Sequence, residues 1–457
     1  MQNSTNEHVE LGWQLDLLRR WMALLAIVLL AVTWRLWWGG SEFPAIPVGA
    51  WLSRIPWMVD RVSCIALCVG LVLVVVGNVR CSHWGWTMVL VAGGLLALLD
   101  QHRWQPWFYQ LLLVAAIFRL SSPPRIARLL TWLTISIYFY SAVCKFDAEF
   151  LHTVGQQLWQ GLAQLCGLSQ PANEEWSKQP ILLIGLLPAI ELLFVAGLAW
   201  PVSRRAAGVL AIGFHGVLML LLGPLGINHS AGVVLWNLQF AGQAVCLFVL
   251  ADRKQNPQPL RPSATSSPTI WQDYFARAIV CLAIALPVAE RWGGWDHWTS
   301  WALYAPHSSR TEVWIASTAV DRLPKSLQRV IDAQQAEQAE TRRKLAEQAG
   351  RDHESADQDV DQGSDWPVIE QHTALWLRVP IERWSLEQTA TPIYPQARFQ
   401  LGVARALAAR IDSEFKIKVI VRGIAARWDG RRSSREFQGT SGLATAARAF
   451  WFGTTPR

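Results

Sequence analysis

Long apolar runs follow one another through the first two thirds of the chain, and short polar segments separate them. They cover approximately residues 21–38, 62–79, 84–99, 107–120, 126–144, 180–200, 206–222, 230–250 and 275–291. A transmembrane helix needs about 17–25 mainly apolar residues, and most runs approach that length. The third and fourth are short enough to tilt together or to re-enter the membrane. The pattern predicts an α-helical polytopic membrane bundle of about nine spans within residues 1–298.

The pattern changes after residue 298, where charged residues become frequent. Residues 299–322 read as a connector containing a short strand at 312–316. Residues 323–365 lack a wide apolar stripe, which predicts a charged, solvated helix and then a disordered acidic segment at 352–365. Strand patterns at 374–379 and 415–422 flank a helical pattern at 395–411. Residues 366–457 are therefore predicted to form a small α+β domain.

Basic residues orient the predicted spans. The chain holds 41 Lys and Arg against 34 Asp and Glu, a net charge of +7. If the N-terminus is cytoplasmic, basic residues concentrate on the inner side: Arg19, Arg20, Arg80, Arg119, Arg125, Arg128, Arg204, Arg205, Arg253, Lys254 and Arg261. The positive-inside rule then puts the C-terminal domain outside the plasma (inner) membrane. The lipid bilayer is the expected partner, and no nucleic acid is expected.

Several common site motifs are missing from the sequence. It has no P-loop, no GxGxxG, no GxSxG and no CxxC among its seven cysteines. The apolar runs contain no HxxxH or HExxH spacing, so no metal is expected. Candidate chemistry must therefore come from single polar residues in or beside the spans.

Two such residues lie near the middle of predicted spans. Glu191 is in the sixth span, just after Pro188, and His215 is in the seventh. Polar groups inside a membrane are costly unless they are paired, so each is a functional hypothesis. Adjacent antiparallel helices could bring Glu191 and His215 together, where the pair would relay a proton or form a structural hydrogen bond.

A second group is expected at the outer membrane surface. The fifth span ends in Lys145, with Asp147 two residues later, and His229 begins the eighth span on the same side. These three residues are predicted to share one outward-facing pocket.

The segment Ser141-Ala142-Val143-Cys144-Lys145-Phe146-Asp147-Ala148-Glu149-Phe150 resembles the base-containing segment of vitamin K-dependent gamma-carboxylase and its bacterial relatives, the horizontally transferred transmembrane (HTTM) family. Lys145, Asp147 and Ala148 match that family's pattern, whereas Glu149 and Phe150 depart from it conservatively. The region from Pro188 onward is also similar to the DoxX/MauE group of small membrane proteins.

The resemblance implies an enzyme that oxidises a reduced quinone of the menaquinone type, or carboxylates with its help. Lys145 would be the base, Asp147 would orient it, and Glu191 with His215 would assist proton movement. Two alternatives remain. One is a DoxX/MauE-like protein that supports redox chemistry without turnover. The other is a non-enzymatic scaffold whose outer domain and charged helix recruit an extracytoplasmic protein partner.

Overall fold

A computed structural model of the chain describes residues 12–167, 181–250, 269–356, 375–411 and 414–457. The helices in the first part are α1 Trp13–Val32, α2 Trp34–Trp38, α3 Met58–Val76, α4 Val79–Leu99, α5 Pro106–Leu120, α6 Pro123–Val143, α7 Ala148–His152, α8 Val154–Leu165, α9 Ile181–Ala199, α10 Arg204–Leu222, α11 Ala231–Ala244 and α12 Ile270–Ala285. The second part contains α13 Lys325–Ala356, α14 Ile381–Thr389, α15 Ala397–Ala408 and α16 Gly439–Ala447, and the strands β1 Arg310–Ala316, β2 Trp376–Val379, β3 Ile417–Arg422 and β4 Ser434–Gln438.

Each predicted apolar run contains a helix, and within the described ranges seven segments are long and apolar enough to cross a membrane. They are Met58–Val76, Val79–Leu99, Pro123–Val143, Leu182–Ala199, Arg204–Leu222, Ala231–Val249 and Ile270–Trp292. Two predicted spans fall outside this set. α1 begins with Asp16, Arg19 and Arg20, and α5 has only 15 residues. A helical bundle with seven candidate membrane spans in the described residues is therefore observed, while the number nine stays a prediction.

Contacts between helix ends show that the long helices alternate in direction. At one end, the guanidinium of Arg20 at the start of α1 donates to the Val75 carbonyl near the end of α3, at 2.8 Å. At the same level, Arg119 at the end of α5 donates to Thr87 in the first half of α4, at 2.9 Å. Arg125 at the start of α6 pairs with Asp273 at the start of α12. Three of the predicted inner arginines, Arg20, Arg119 and Arg125, thus lie at one end of the bundle.

The C-terminal part is built on a four-stranded antiparallel sheet with the order β2-β1-β3-β4. Val313 and Val419 face each other across β1 and β3, and both are fully buried against the apolar face of α15. The strands predicted at 312–316, 374–379 and 415–422 and the helix predicted at 395–411 are all confirmed. The segment predicted as a connector is corrected, because its strand β1 is central to the sheet.

The charged segment forms the helix α13, as predicted. Its first turns pack Leu327, Val330 and Ile331 into the core of the C-terminal part, which is called the sheet unit below. Most of the following residues up to 347 are exposed. The helix continues through Ala356, so it enters the segment predicted to be disordered. Residues 357–365, and the Pro/Ser-rich stretch at 253–268, lie outside the described residues.

The sheet unit rests on the end of the bundle opposite to the arginine cluster. Phe43 and Ile46, which follow α2, pack into the core of the sheet unit. Asp60 at the start of α3 forms fully buried ion pairs with Arg103, at 2.6 Å, and with Arg457, at 2.5 Å. Because these contacts join both parts of the chain, the end of the bundle is covered by the sheet unit.

Candidate functional site

The predicted base Lys145 lies in a buried ion pair. Its ammonium nitrogen is 2.5 Å from Oε1 and 2.8 Å from Oε2 of Glu191, and both side chains are at most 7% exposed. The same nitrogen donates to the Ser141 hydroxyl at 2.8 Å, and that hydroxyl donates to Glu191 Oε2 at 3.0 Å. The three side chains form a closed hydrogen-bonded ring.

Local structure explains how these groups meet. Ser141 lies in the last turn of α6, and Lys145 follows four residues later, just after that helix ends at Val143. Residues four apart project on one helical face, so the hydroxyl reaches the ammonium. Glu191 comes from α9, which packs along α6. A long lysine side chain spans the remaining gap between the two helices.

A second polar chain begins one turn earlier on α6. Asn237 donates its amide to the Val233 carbonyl, which leaves its oxygen facing His215 Nδ1 at 2.9 Å. His215 Nδ1 therefore carries the proton, and Nε2 accepts from the Tyr138 hydroxyl at 2.6 Å. The imidazole also stacks on Phe240 with 5.3 Å between ring centroids. The tautomer of His215 is thus fixed by its neighbours.

Both polar groups line one small cavity of about 70 Å³. Its other lining residues are mostly apolar and come from α6 to α11, together with Leu303 and Tyr304. A larger cavity of about 350 Å³ adjoins it, and the two share Leu158, Trp236, Leu303 and Tyr304 as lining residues. The larger volume falls within the range of about 300–1,000 Å³ seen for small-molecule sites.

Tyr304 stands between the two cavities. Its ring centroid is 5.9 Å from the Lys145 nitrogen on one side and 6.2 Å from the His229 ring on the other. The φ angle is 58° at Tyr304 and 60° at Trp301, a left-handed conformation that is costly for such bulky residues. Strain of this kind persists only where surrounding contacts enforce it, and it is common at ligand sites.

Asp147 was predicted to orient Lys145, but it forms no hydrogen bond or ion pair with Lys145 in the described structure. Its carboxylate accepts from the backbone N–H of Glu149 at 2.9 Å and caps the N-terminus of α7. The other oxygen pairs with Arg291 at 2.7 Å. Asp147 lines neither cavity. It therefore fixes the turn after Lys145, and the expectation of a pocket shared by Lys145, Asp147 and His229 is wrong.

Two further predictions are corrected in part: that Glu191 meets His215, and that His229 lies in one pocket with Lys145. Glu191 and His215 line the same cavity, but the carboxylate bonds to Lys145 while the imidazole bonds to Tyr138 and Asn237. His229 lines the larger cavity and is separated from Lys145 by Tyr304. Sequence reasoning missed Ser141 and Tyr138, although their positions four and seven residues before Lys145 place all three on one helical face.

One cluster in the described part of the chain has donor atoms suited to a metal ion. Glu290, His297 and His307 are buried, and one donor atom from each lies within 4.8 Å of the others. A search for short metal-binding motifs misses this cluster, because its members are seven and ten residues apart in the sequence. They also lie at and beyond the end of the last predicted span.

Comparison of the chain with protein-family models, curated proteins and solved structures finds no significant match in any of the three. The fold and the site are therefore interpreted from the chain's own residues.

Proposed function

We propose that this chain is an integral membrane enzyme of the gamma-carboxylase-like type, which binds a reduced quinone of the menaquinone type and deprotonates it at the Lys145–Glu191 pair. The observation that carries the proposal is the buried ion pair on the wall of a mostly apolar cavity. The adjoining cavity of about 350 Å³ has the volume for a hydrophobic ring, and the pair, on the wall of the small cavity next to it, would supply polar contacts that orient one. The resemblance around Lys145 supports the same chemistry.

The pair can act as a base whichever group holds its proton. As an ammonium and a carboxylate, it accepts a proton on Glu191. As an amine and a carboxylic acid, it accepts a proton on Lys145. Both routes end in an ammonium beside a carboxylic acid. The proton uptake therefore belongs to the pair, and Ser141 lies between its two members.

The Tyr138–His215–Asn237 chain provides a second polar contact in the cavity. Because His215 Nε2 accepts the Tyr138 proton, the tyrosine oxygen is free to accept a hydrogen bond from a second substrate hydroxyl. Loss of the first proton makes an electron-rich quinolate that reacts with dioxygen. The overall reaction converts quinol and dioxygen into quinone epoxide and water, and the proton held by the pair returns to the water that forms.

The proposed orientation follows the basic residues. The arginine-rich end of the bundle would be cytoplasmic, and the sheet unit would lie outside the plasma membrane. Nine crossings, counting α1 and α5, put the chain's two ends on opposite sides. Lys145 is then at the outer surface of the membrane, as in the resembled family.

The test is quinol oxidation by the protein in nanodiscs. Reduced menaquinone and oxygen are supplied, and quinone epoxide is measured by mass spectrometry. We expect epoxide from the wild type and at least a hundredfold less from Lys145→Met. The variant Lys344→Ala changes an exposed lysine on α13 and should retain full activity.

The double variant Lys145→Met/Glu191→Leu separates catalysis from folding, because it removes both charges and leaves no unpaired ion in the site. A stable, inactive double variant supports the proposal. Epoxide formation by that variant, or none by a folded wild type, overturns it. In the latter case a redox-support protein of the DoxX/MauE kind, which binds quinone without turnover, is the better interpretation.

A further inference from the structure

The buried cluster of Glu290, His297 and His307 joins the last helix of the bundle to the sheet unit. Glu290 lies in the 3₁₀ turn Leu286–Trp292 that continues α12. His297 follows in the next turn, and the carbonyl of His307 accepts from the backbone N–H of Ala425, beyond β3. All three side chains are at most 7% exposed. Three side chains that can bind a metal ion thus meet where the end of α12 joins the sheet unit.

The hydrogen bonds of His297 leave one nitrogen facing a carboxylate. Its Nε2 lies 2.8 Å from the Ala305 carbonyl, which can only accept, so Nε2 carries the proton. A neutral ring then presents the Nδ1 lone pair to Glu290 Oε1 at 2.8 Å. Two acceptors at this distance repel each other unless a cation lies between them. The cation is either a proton or a metal ion.

His307 contacts the same carboxylate as His297. Its Nε2 lies 3.0 Å from Oε1 and 3.1 Å from Oε2 of Glu290. Its Nδ1 is buried and has no hydrogen-bond partner in the described structure. No described partner therefore fixes which nitrogen of His307 carries the proton, and with the proton on Nδ1 the Nε2 lone pair also faces the carboxylate.

We infer that Glu290, His297 and His307 bind one divalent transition-metal ion of the Zn²⁺ or Fe²⁺ type. Two imidazoles and one carboxylate are the ligand set of open sites for these ions. The bond from His297 Nε2 to the Ala305 carbonyl is the outer contact that orients a metal-bound histidine. This inference does not depend on the proposed quinol chemistry.

The distances from the two nitrogens to the carboxylate require only a small expansion, and all three donor atoms already lie within 4.8 Å of one another. Bonds of about 2.1 Å at a tetrahedral angle separate two ligand atoms by about 3.4 Å. The two nitrogens lie 2.8 Å and 3.0 Å from Glu290 Oε1, so each must move by a few tenths of an ångström. The neighbouring cation Arg291 does not oppose a metal, because its charge is paired with Asp147.

Three protein ligands leave a coordination position for a further ligand. His297 and Ala305 both line the larger cavity, so we place the open position on the cavity side. An oxygen donor of a bound molecule, or water, would complete the site there.

The direct test loads the full-length protein in detergent with Co²⁺, which reports its ligand geometry in the visible spectrum. Metal content is measured by mass spectrometry after removal of excess ion, in parallel with Zn²⁺. We expect one equivalent of metal per chain and visible bands typical of four- or five-coordinate Co²⁺. Addition of azide should shift these bands if a coordination position is open.

Variants locate the ion. Glu290→Gln and His307→Ala should each lower the bound metal at least tenfold, whereas His229→Ala, which changes another histidine lining the larger cavity, should retain it. A folded wild type that binds no metal overturns the inference, and so does full binding by the double variant Glu290→Gln/His307→Ala. If the variants do not fold, the inference is decided on the wild type by metal stoichiometry and by a rise in Tm with added Zn²⁺; no rise overturns it.

Discussion

Lys145 and Glu191 are 46 residues apart in the sequence, yet the ammonium contacts both carboxylate oxygens within 2.8 Å. Removing one member leaves the other as an unpaired buried charge. Lys145→Met or Glu191→Leu alone should therefore lower the free energy of unfolding by about 3–5 kcal/mol.

The double variant Lys145→Met/Glu191→Leu should recover most of that loss, because apolar side chains of similar volume suit the buried site. Reversible unfolding in mixed micelles measures all four members of this cycle. Additive losses in the double variant would show that the two charges are not coupled.

Gln110 joins α5 to α11 inside the bundle through three hydrogen bonds. Its oxygen accepts from Trp236 at 2.8 Å and from Gln239 at 3.0 Å, and its amide donates to Gln243 at 2.9 Å. Gln110→Leu should lower the free energy of unfolding by about 2–3 kcal/mol, at about 1 kcal/mol for each lost bond. The exposed Gln164→Leu on α8 is the control and should change it by less than about 0.5 kcal/mol. Equal effects in the two variants would contradict the network's role.

His102 makes the joint between the bundle and the sheet unit sensitive to acid. It is buried and bonds to the Pro392 carbonyl at 2.9 Å. Burial lowers the pKa of His102 from 6.5 to about 4. The unfolded chain therefore binds a proton that the folded protein does not bind between these two values, and this contribution destabilises the folded protein as pH falls from about 6.5 to about 4.

The neighbouring Asp100 acts in the opposite direction. Burial raises its pKa from 3.8 to about 6, so the folded protein binds a proton before the unfolded chain does, and stability falls as pH rises through that window. The two effects offset each other between about pH 4 and 6. Comparing wild type with His102→Gln isolates the histidine: their difference in unfolding free energy should change by about 1.4 kcal/mol per pH unit from 6.5 to 4. A constant difference would contradict this assignment.

A buried ion pair with Asp60 links Arg457 to the bundle. The two oxygens of Asp60 pair with Arg103 and Arg457, and all three side chains are at most 2% exposed. Asp60→Ala should lower the free energy of unfolding by about 3–5 kcal/mol and speed hydrogen exchange around residues 453–457. The exposed pair of Asp429 with Arg431 is the matched control, and Asp429→Ala should cost less than about 1 kcal/mol. Unchanged exchange near residue 457 in Asp60→Ala would contradict the role of the buried pair.

The apolar runs were sufficient to predict the helices, because lipid and protein interior both demand continuous apolar segments. They could not predict which face of α9 carries Glu191 inward. That helix is apolar all round, so its sequence gives no rotational phase. Glu191 was expected to meet His215 on the next helix, whereas α9 also packs on α6 and presents the carboxylate to Lys145.

Asp147 shows a different limit. Proximity in sequence suggested a contact with Lys145, but an Asp two residues before a Glu at the start of a short helix is a common N-cap. Its second partner, Arg291, is 144 residues away in the sequence, and no local sequence pattern predicts such a pair. The cluster of Glu290 with two histidines was missed for the same reason, because His307 is held by the sheet unit.

The loop after β3 lies over the end of α6, where the Arg427 guanidinium donates to the Val143 carbonyl at 3.0 Å and the Arg427 backbone carbonyl accepts from the Ala148 N–H at 2.8 Å. Arg432 from the same loop pairs with Glu149. With this cover in place, the Lys145 side chain is only 5% exposed. A substrate of the proposed enzyme would then arrive laterally, between the helices. Its turnover would follow surface-dilution kinetics, set by the mole fraction of quinol in the bilayer and insensitive to the total volume of the sample.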